Sequence, residues 1–404
     1  MAAGTSPADG VPAPGAGALA RRQRTPAQLL DVIRAHGRLT RAELSRLTGL
    51  SRSTVAQAVA ALLADGLLTE EEAPGNRAGQ RGRPSVLLRP ARRPGQVIGV
   101  DFGHVHISVA VADTSGRVLA EARVPADVDA DADAALDLAA GLARDVLGQA
   151  GLTMAEVLAV GAGIPGPLER GTRALRVQAI MAGWEGREVA PELSGRFGRP
   201  VAIGNDADLG ALGELRFGAA RGCRDFLYVK VSHGLGAGLV LGGRLYRGTR
   251  GIAGEIAHVL VPGSSGQCLC GNRGCVATLT TVWPLRQRLL ELGLVEEGPG
   301  WPDAPLPRHP AVSRVLSEAG AALGRVLASL CDTLNPEAVI LGGEVGVLGG
   351  PFATAVRGAI DRHAQPPAAA AVRVQPAGLG TRSELMGAVA LAAETAAQPG
   401  PGPG

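Results

Sequence analysis

Aromatic residues make up only 2% of the 404 positions, and lysine occurs once, at Lys230. The first shortage means that the cores are built from Ala, Val and Leu, within an apolar content of 46%. No apolar run reaches the roughly 20 residues that a membrane helix needs. Met1–Ala20 has neither basic residues nor a long apolar core, which argues against a secretory signal. Five cysteines are few for a disulfide framework, and three of them fall within eight residues, which points to a metal instead. The expectation is a cytoplasmic protein with no membrane partner.

The chain is too long for one ordinary domain. Its formal net charge is +3, unevenly placed. Arg21–Arg93 holds fourteen Arg against six acidic residues, an excess of +8, so the remainder carries −5. A basic module on an acidic body implies a polyanion partner for the module alone. Residues 1–20 and 397–404 are rich in Ala, Gly and Pro and read as disordered tails. Residues 21–90 read as a small helical module with a wing and linker, and an α/β pattern fills 97–396.

Within the module, Leu29, Val32 and Ile33 fall at helical spacing in the segment Pro26–His36. Thr40 with Glu43 forms a capping box for a short helix from Arg41 to Leu47. Gly49 supplies a turn and Ser51 caps a third helix, whose Val55, Ala58, Val59 and Leu62 form an apolar stripe. Its opposite stripe holds Arg52, Ser53, Ala56, Gln57 and Ala60, small enough to sit in a major groove. Arg reads guanine there, and Gln reads adenine. A turn at Asp65–Gly66 leads into one wing strand, and Ser85–Leu88 reads as the second. Between them, Arg81 and Arg83 flank a glycine. They either enter a minor groove or contact phosphate without preference. This is a winged helix-turn-helix, with Arg41, Ser51, Arg52, Ser53, Gln57, Arg81 and Arg83 as candidate DNA contacts.

Further on, His258 is followed by Cys268, Cys270 and Cys275, a complete tetrahedral zinc set. Four protein ligands leave no open position, so the zinc is expected to be structural. Three glycine-rich turns follow strands, at Asp101–Phe102–Gly103, at Ser232–Gly238 and at Gly342–Gly343. In this order they suggest two phosphate loops and an adenosine turn. Asn205–Asp206 ends a strand and heads a helix, where Asp206 is either a general base toward a sugar hydroxyl or part of an ordinary helix cap.

The segments Gly163–Ile164–Pro165–Gly166–Pro167, Asn205–Asp206–Ala207–Asp208, Gly254–Glu255–Ile256–Ala257–His258 and the Cys268–Cys275 run together resemble the ROK (repressor, open reading frame, kinase) family. The resemblance implies a two-lobed, actin-like sugar-kinase fold, with one lobe at 97–205 plus a returning helix at 385–396, and the other at 206–384. It implies that Asn205, Asp206, Glu255 and His258 face a sugar. The chain departs from the family's kinases in three places. His104–Val105 stands where they place Gly–Thr, Ser232–His233 stands where Gly–Thr is usual in the second loop, and Ala277 replaces a sugar-binding Glu. The expectation is a DNA-binding regulator, with repression the expected sense, acting as a homodimer or tetramer. Its kinase-like body would bind a sugar or sugar derivative as effector, with no enzyme activity and no ATP requirement. The alternative is an ATP-dependent sugar kinase with Asp206 as base.

Overall fold

A computed structural model describes residues 25–26, 28–30, 32–33, 38–72, 86–90, 95–169, 181–296 and 305–397. The chain divides into two compact units, Met1–Arg92 and Arg93–Gly404.

In the first unit the described residues between 25 and 33 are helical, with Leu29, Leu30 and Ile33 buried. Strand β1 (Leu39–Thr40) runs into helix α1 (Arg41–Thr48). Thr40 and Glu43 cap this helix reciprocally. Thr40 Oγ1 accepts the Glu43 N–H at 3.2 Å, and the Glu43 carboxylate accepts the Thr40 N–H at 2.8 Å. Such a cap stabilises by about 1 kcal/mol. Gly49 ends the helix at φ 69°, a left-handed turn that suits glycine. Ser51 Oγ accepts the Thr54 N–H at 3.1 Å and starts α2 (Arg52–Ala64), which buries Val55, Ala58, Val59 and Leu62. Strands β2 (Leu68–Glu72) and β3 (Val86–Pro90) pair antiparallel, and β1 lies on the far side of β3. The second wing strand runs two residues further than its apolar pattern suggests, and Ser85 lies outside the described residues.

The second unit holds two five-stranded sheets of one plan. In the first, β4 (Gln96–Phe102), β5 (His106–Asp113) and β6 (Val118–Pro125) form an antiparallel meander. After α3 (Ala132–Gln149), strand β7 (Val157–Ile164) pairs parallel to β4. Then, after α4 (Val189–Phe197), β8 (Val201–Asn205) pairs parallel to β7. Helix α5 (Asp206–Phe217) leads into the second sheet. There β9 (Phe226–Val231), β10 (Leu235–Leu241) and β11 (Arg244–Leu245) repeat the meander. Short α6 (Ala277–Thr280), α7 (Val282–Glu291) and the 25-residue α8 (Pro310–Leu334) follow. Strand β12 (Ala338–Gly342) then pairs parallel to β9, and β13 (Arg373–Pro376) to β12. Between these last two strands come α9 (Gly343–Gly346), α10 (Gly350–His363) and α11 (Pro366–Ala371), and α12 (Ser383–Ala396) closes the unit.

Layering follows from which faces are apolar. Helices α3 and α4 cover one face of the first sheet, with Trp184 edge-on to Phe102 at 5.6 Å. Helices α7, α8 and α10 cover the outer face of the second sheet. Between the sheets lie α12, on Val97, Ala110 and Ala159 of the first, and α5, whose Ala211 packs on Phe226 and Tyr228 of the second. The two helices meet through Leu209, Leu212 and Ala388. Glycine makes the crossing possible: a Cβ on Gly213 would strike the Ser383 carbonyl, and one on Gly387 would strike that of Leu209.

Candidate nucleic-acid face, metal centre and cleft

On α2, Arg52, Ser53 and Gln57 are exposed on the face opposite the buried stripe, joined by the small Ala56 and Ala60. Ser51 is committed to capping. Arg41 is drawn away toward the wing, where its guanidinium meets Glu70 at 2.5 Å. Arg81 and Arg83 lie outside the described residues.

In the second unit, the donor atoms of His258, Cys268, Cys270 and Cys275 all lie within 4.8 Å of one another. His258 Nδ1 is 3.5 Å from Cys268 Sγ, and Cys270 Sγ is 3.7 Å from Cys275 Sγ. A tetrahedral zinc with bonds of about 2.3 Å to sulfur and 2.0 Å to nitrogen has donor–donor edges of about 3.5–3.8 Å, so the set fits zinc. Gly271 and Gly274, at φ 89° and 81°, fold the loop tightly, and Cys268 N–H donates to the Asn272 carbonyl at 2.9 Å. Burial and the neighbouring sulfurs push the Cys275 thiol up to about 12, the cost of gathering thiolates without a cation. Nδ1 faces the sulfurs, which leaves Nε2 of His258 for another partner.

The residues that the resemblance places in a sugar cleft begin where β8 meets α5. Asn205 caps α5 by accepting the Asp208 N–H at 3.1 Å, and its amide donates to the Gly166 carbonyl at 3.0 Å. Asn205 is thus a helix cap, and Asp206, in the first turn, accepts the Ala207 N–H at 2.8 Å. Asp208 is buried and pairs with Arg247 Nε at 2.7 Å, while burial pushes its carboxyl above the usual range. Across from it, Glu255 precedes the 3₁₀ turn Ile256–His258 and keeps one side open to water. Protein packed around its carboxyl, then the charges of Asp206 and Asp208, push Glu255 up to about 7. Asp206, next to Asn205, thus lies close enough to Glu255 for their charges to interact, and His258 ends the 3₁₀ turn that Glu255 precedes. Ala277, at the start of α6, is a small apolar residue.

Composition alone singled out Lys230, without a role. It stands on β9, buried, with Nζ 2.9 Å from Asp206 Oδ2 and 3.9 Å from Glu384 Oε1. Glu384 is itself buried near the start of α12. It accepts the Tyr228 hydroxyl at 2.8 Å, and burial pushes its carboxyl up to about 7. No local motif marks this cluster, because its members come from three separated elements.

The glycine-rich turns are filled by imidazoles. His104 Nδ1 lies 2.9 Å from Asp129, and the far edge of its ring rests against Gly234 of the second turn. His106 Nε2 lies 3.0 Å from Asp101 Oδ2, with the ring packed over Gly103. Half-buried His233 has its basicity lowered by burial. Leu235–Gly238, read from sequence as part of the second turn, is strand instead. Its glycines are there for packing, since a Cβ on Gly238 would strike the Ala207 carbonyl of α5.

A family model described as ROK family matches residues 97–395, and one described as MarR family matches residues 23–78. The xylose repressor of Caldicellulosiruptor bescii is 27% identical over 367 residues, 87% of this chain and 91% of the relative. Among solved structures, a ROK family transcriptional regulator, homologous to the Escherichia coli MLC protein, superposes with a TM-score of 0.70. It is 22% identical, and the match covers 93% of this chain and 97% of that one. A ROK family glucokinase from Streptomyces griseus, in complex with glucose and AMPPNP, has a TM-score of 0.65 and 28% identity, over 74% of this chain and all of that one.

Proposed function

The chain belongs to the ROK family, and from that premise we propose that it is a DNA-binding transcriptional regulator, a repressor in sense, whose kinase-like body binds a sugar or sugar derivative as effector. The observation that carries this is the union in one chain of a MarR-type winged helix with a ROK body, a union the xylose repressor matches over most of its length. Asn205, Asp206, Glu255 and His258 would hold the sugar hydroxyls. Zinc on His258, Cys268, Cys270 and Cys275 would supply structural cross-linking only. The loop it ties would hold His258 with Nε2 turned to the cleft. A homodimer would place two α2 helices in successive major grooves, about 34 Å apart. Among the described residues no helix is long and apolar enough to cross a membrane.

Likeness to the glucokinase and the retained Asp206 favour a second reading, an ATP-dependent sugar kinase. Phosphoryl transfer depends on positioning and charge neutralisation of phosphates. His104 and His106 stand where that positioning would occur, and the Lys230 ammonium occupies Asp206. An operator gel shift beside a coupled ATP assay with D-xylose and D-glucose separates the readings. Arg52→Ala should weaken operator binding by about 1–3 kcal/mol, and turnover in the assay should be absent. An unchanged gel shift removes Arg52 from base reading, and kinase-level turnover overturns the regulator assignment.

A further inference from the structure

Arginine fills thirty-nine of the forty basic positions, so the one lysine occupies a place where arginine was not used. The environment supplies a reason. Lys230 touches carboxylates of two elements, Asp206 on α5 and Glu384 on α12, and feels the charge of two more, Asp101 on β4 and Glu344 on α9. A flat guanidinium would need a wide fork of acceptors, whereas a compact ammonium satisfies carboxylates arranged around a point. Two of the four have basic partners of their own. His106 meets Asp101 at 3.0 Å, and Arg123 meets Glu344 at 3.4 Å. Asp206 and Glu384 are left to share the ammonium, and the sharing is unequal. Asp206 holds it at 2.9 Å, while Glu384, at 3.9 Å, has the Tyr228 hydroxyl in its place.

The two competitors face different surroundings. Asp206 lies at the cleft, where a ligand hydroxyl can reach it. Glu384 lies behind it, in the first turn of the helix packed between the two sheets. We propose that Lys230 carries occupancy of the cleft to the C-terminal helix: a ligand hydroxyl that takes Asp206 releases the ammonium, which closes on Glu384. This rests on the sugar-effector reading above. The step needs Nζ to move by about 1 Å, the difference between its two contacts. Its result is a tighter ion pair on α12, the layer that both sheets share. Lys230 is therefore a positioning residue that acts through Asp206 and Glu384.

The single lysine makes the test direct. Feeding ¹⁵N-lysine to the full chain labels one side-chain Nζ, whose resonance reports its partner. Asp206→Asn should move that resonance, and adding Glu384→Gln to it should move the resonance again, since the ammonium has then lost both partners. Identical positions in the single and double variants would overturn the proposal, with no sugar involved. In the wild type, saturating D-xylose or D-glucose should move the resonance in the direction set by Asp206→Asn. A sugar that raises the melting temperature while leaving the resonance in place would overturn it too. Glu384→Gln alone should keep the sugar affinity yet reduce the sugar-induced change in operator affinity about tenfold, within the usual range of coupling between sites. A full operator response in that variant would also refute it. If neither sugar stabilises the wild type, the sugar reading loses support, while the comparison of variants still decides the role of Lys230.

Discussion

The two ends of the cleft use polar residues in opposite ways. Around Asp206, polar capacity is left over: Glu255 opens to water with its carboxyl pushed up to about 7, and Nε2 of His258 is turned from the sulfurs. Around the glycine-rich turns, imidazoles meet carboxylates, His104 with Asp129 and His106 with Asp101, although Asp101 Oδ1 and His106 Nδ1 are buried without a hydrogen-bond partner. On the reading proposed above, the first end holds the effector and the second takes no nucleotide. A kinase needs both ends, and a sensor needs one.

The His258–Cys275 cluster offers the sharpest way to break the contrast, because on the proposed reading its zinc would fix His258 at the first end. Cys270→Ser should reduce bound zinc from about one per chain to none and lower the melting temperature by several degrees, since a closed zinc set contributes directly to folding. Metal analysis and thermal unfolding read this, and full zinc in the variant would contradict the ligand set. A smaller effect tests the second end. His104→Gly should open the turn and make AMPPNP binding measurable by calorimetry, with no ATP turnover, because Lys230 still holds Asp206. The lost pair with Asp129 is partly exposed and should cost at most about 1 kcal/mol. Unchanged nucleotide affinity would mean that His104 does not close this end. The smallest effect is one of pH. The Glu255 carboxyl is raised from 4.5 to about 7 in the folded chain. Its contribution to stability is therefore complete below about pH 4.5 and is lost as pH rises through about 7. Glu255→Gln should be level with the wild type at pH 5 and melt about 1–2 °C higher at pH 8, a modest gain because the group opens to water. Parallel melting curves across that range would show that Glu255 is not crowded by Asp206 and Asp208.

Much of this was legible where neighbours in sequence are neighbours in space. The Thr40–Glu43 box, the Ser51 cap, the α2 stripe and the His258–Cys275 cluster each span a few residues, so spacing alone indicates their geometry. Two features were not legible. Gly236 and Gly238 look like a loop because glycine is common in turns, and only the presence of α5 over β10 explains them as strand. The Lys230 cluster draws on residues from Asp101 to Glu384, so no window of sequence contains it. The ROK resemblance supplied the cleft residues, but not the lysine that binds one of them.

Lys230 has a further consequence, in covalent chemistry. It is the chain's only lysine, and it is 8% exposed. Reagents and enzymes that acylate the lysine ε-amine therefore find no ready target on the folded protein. A mark at Lys230 therefore records a moment when this side chain was exposed, so acylation at that one position would count such exposures one molecule at a time.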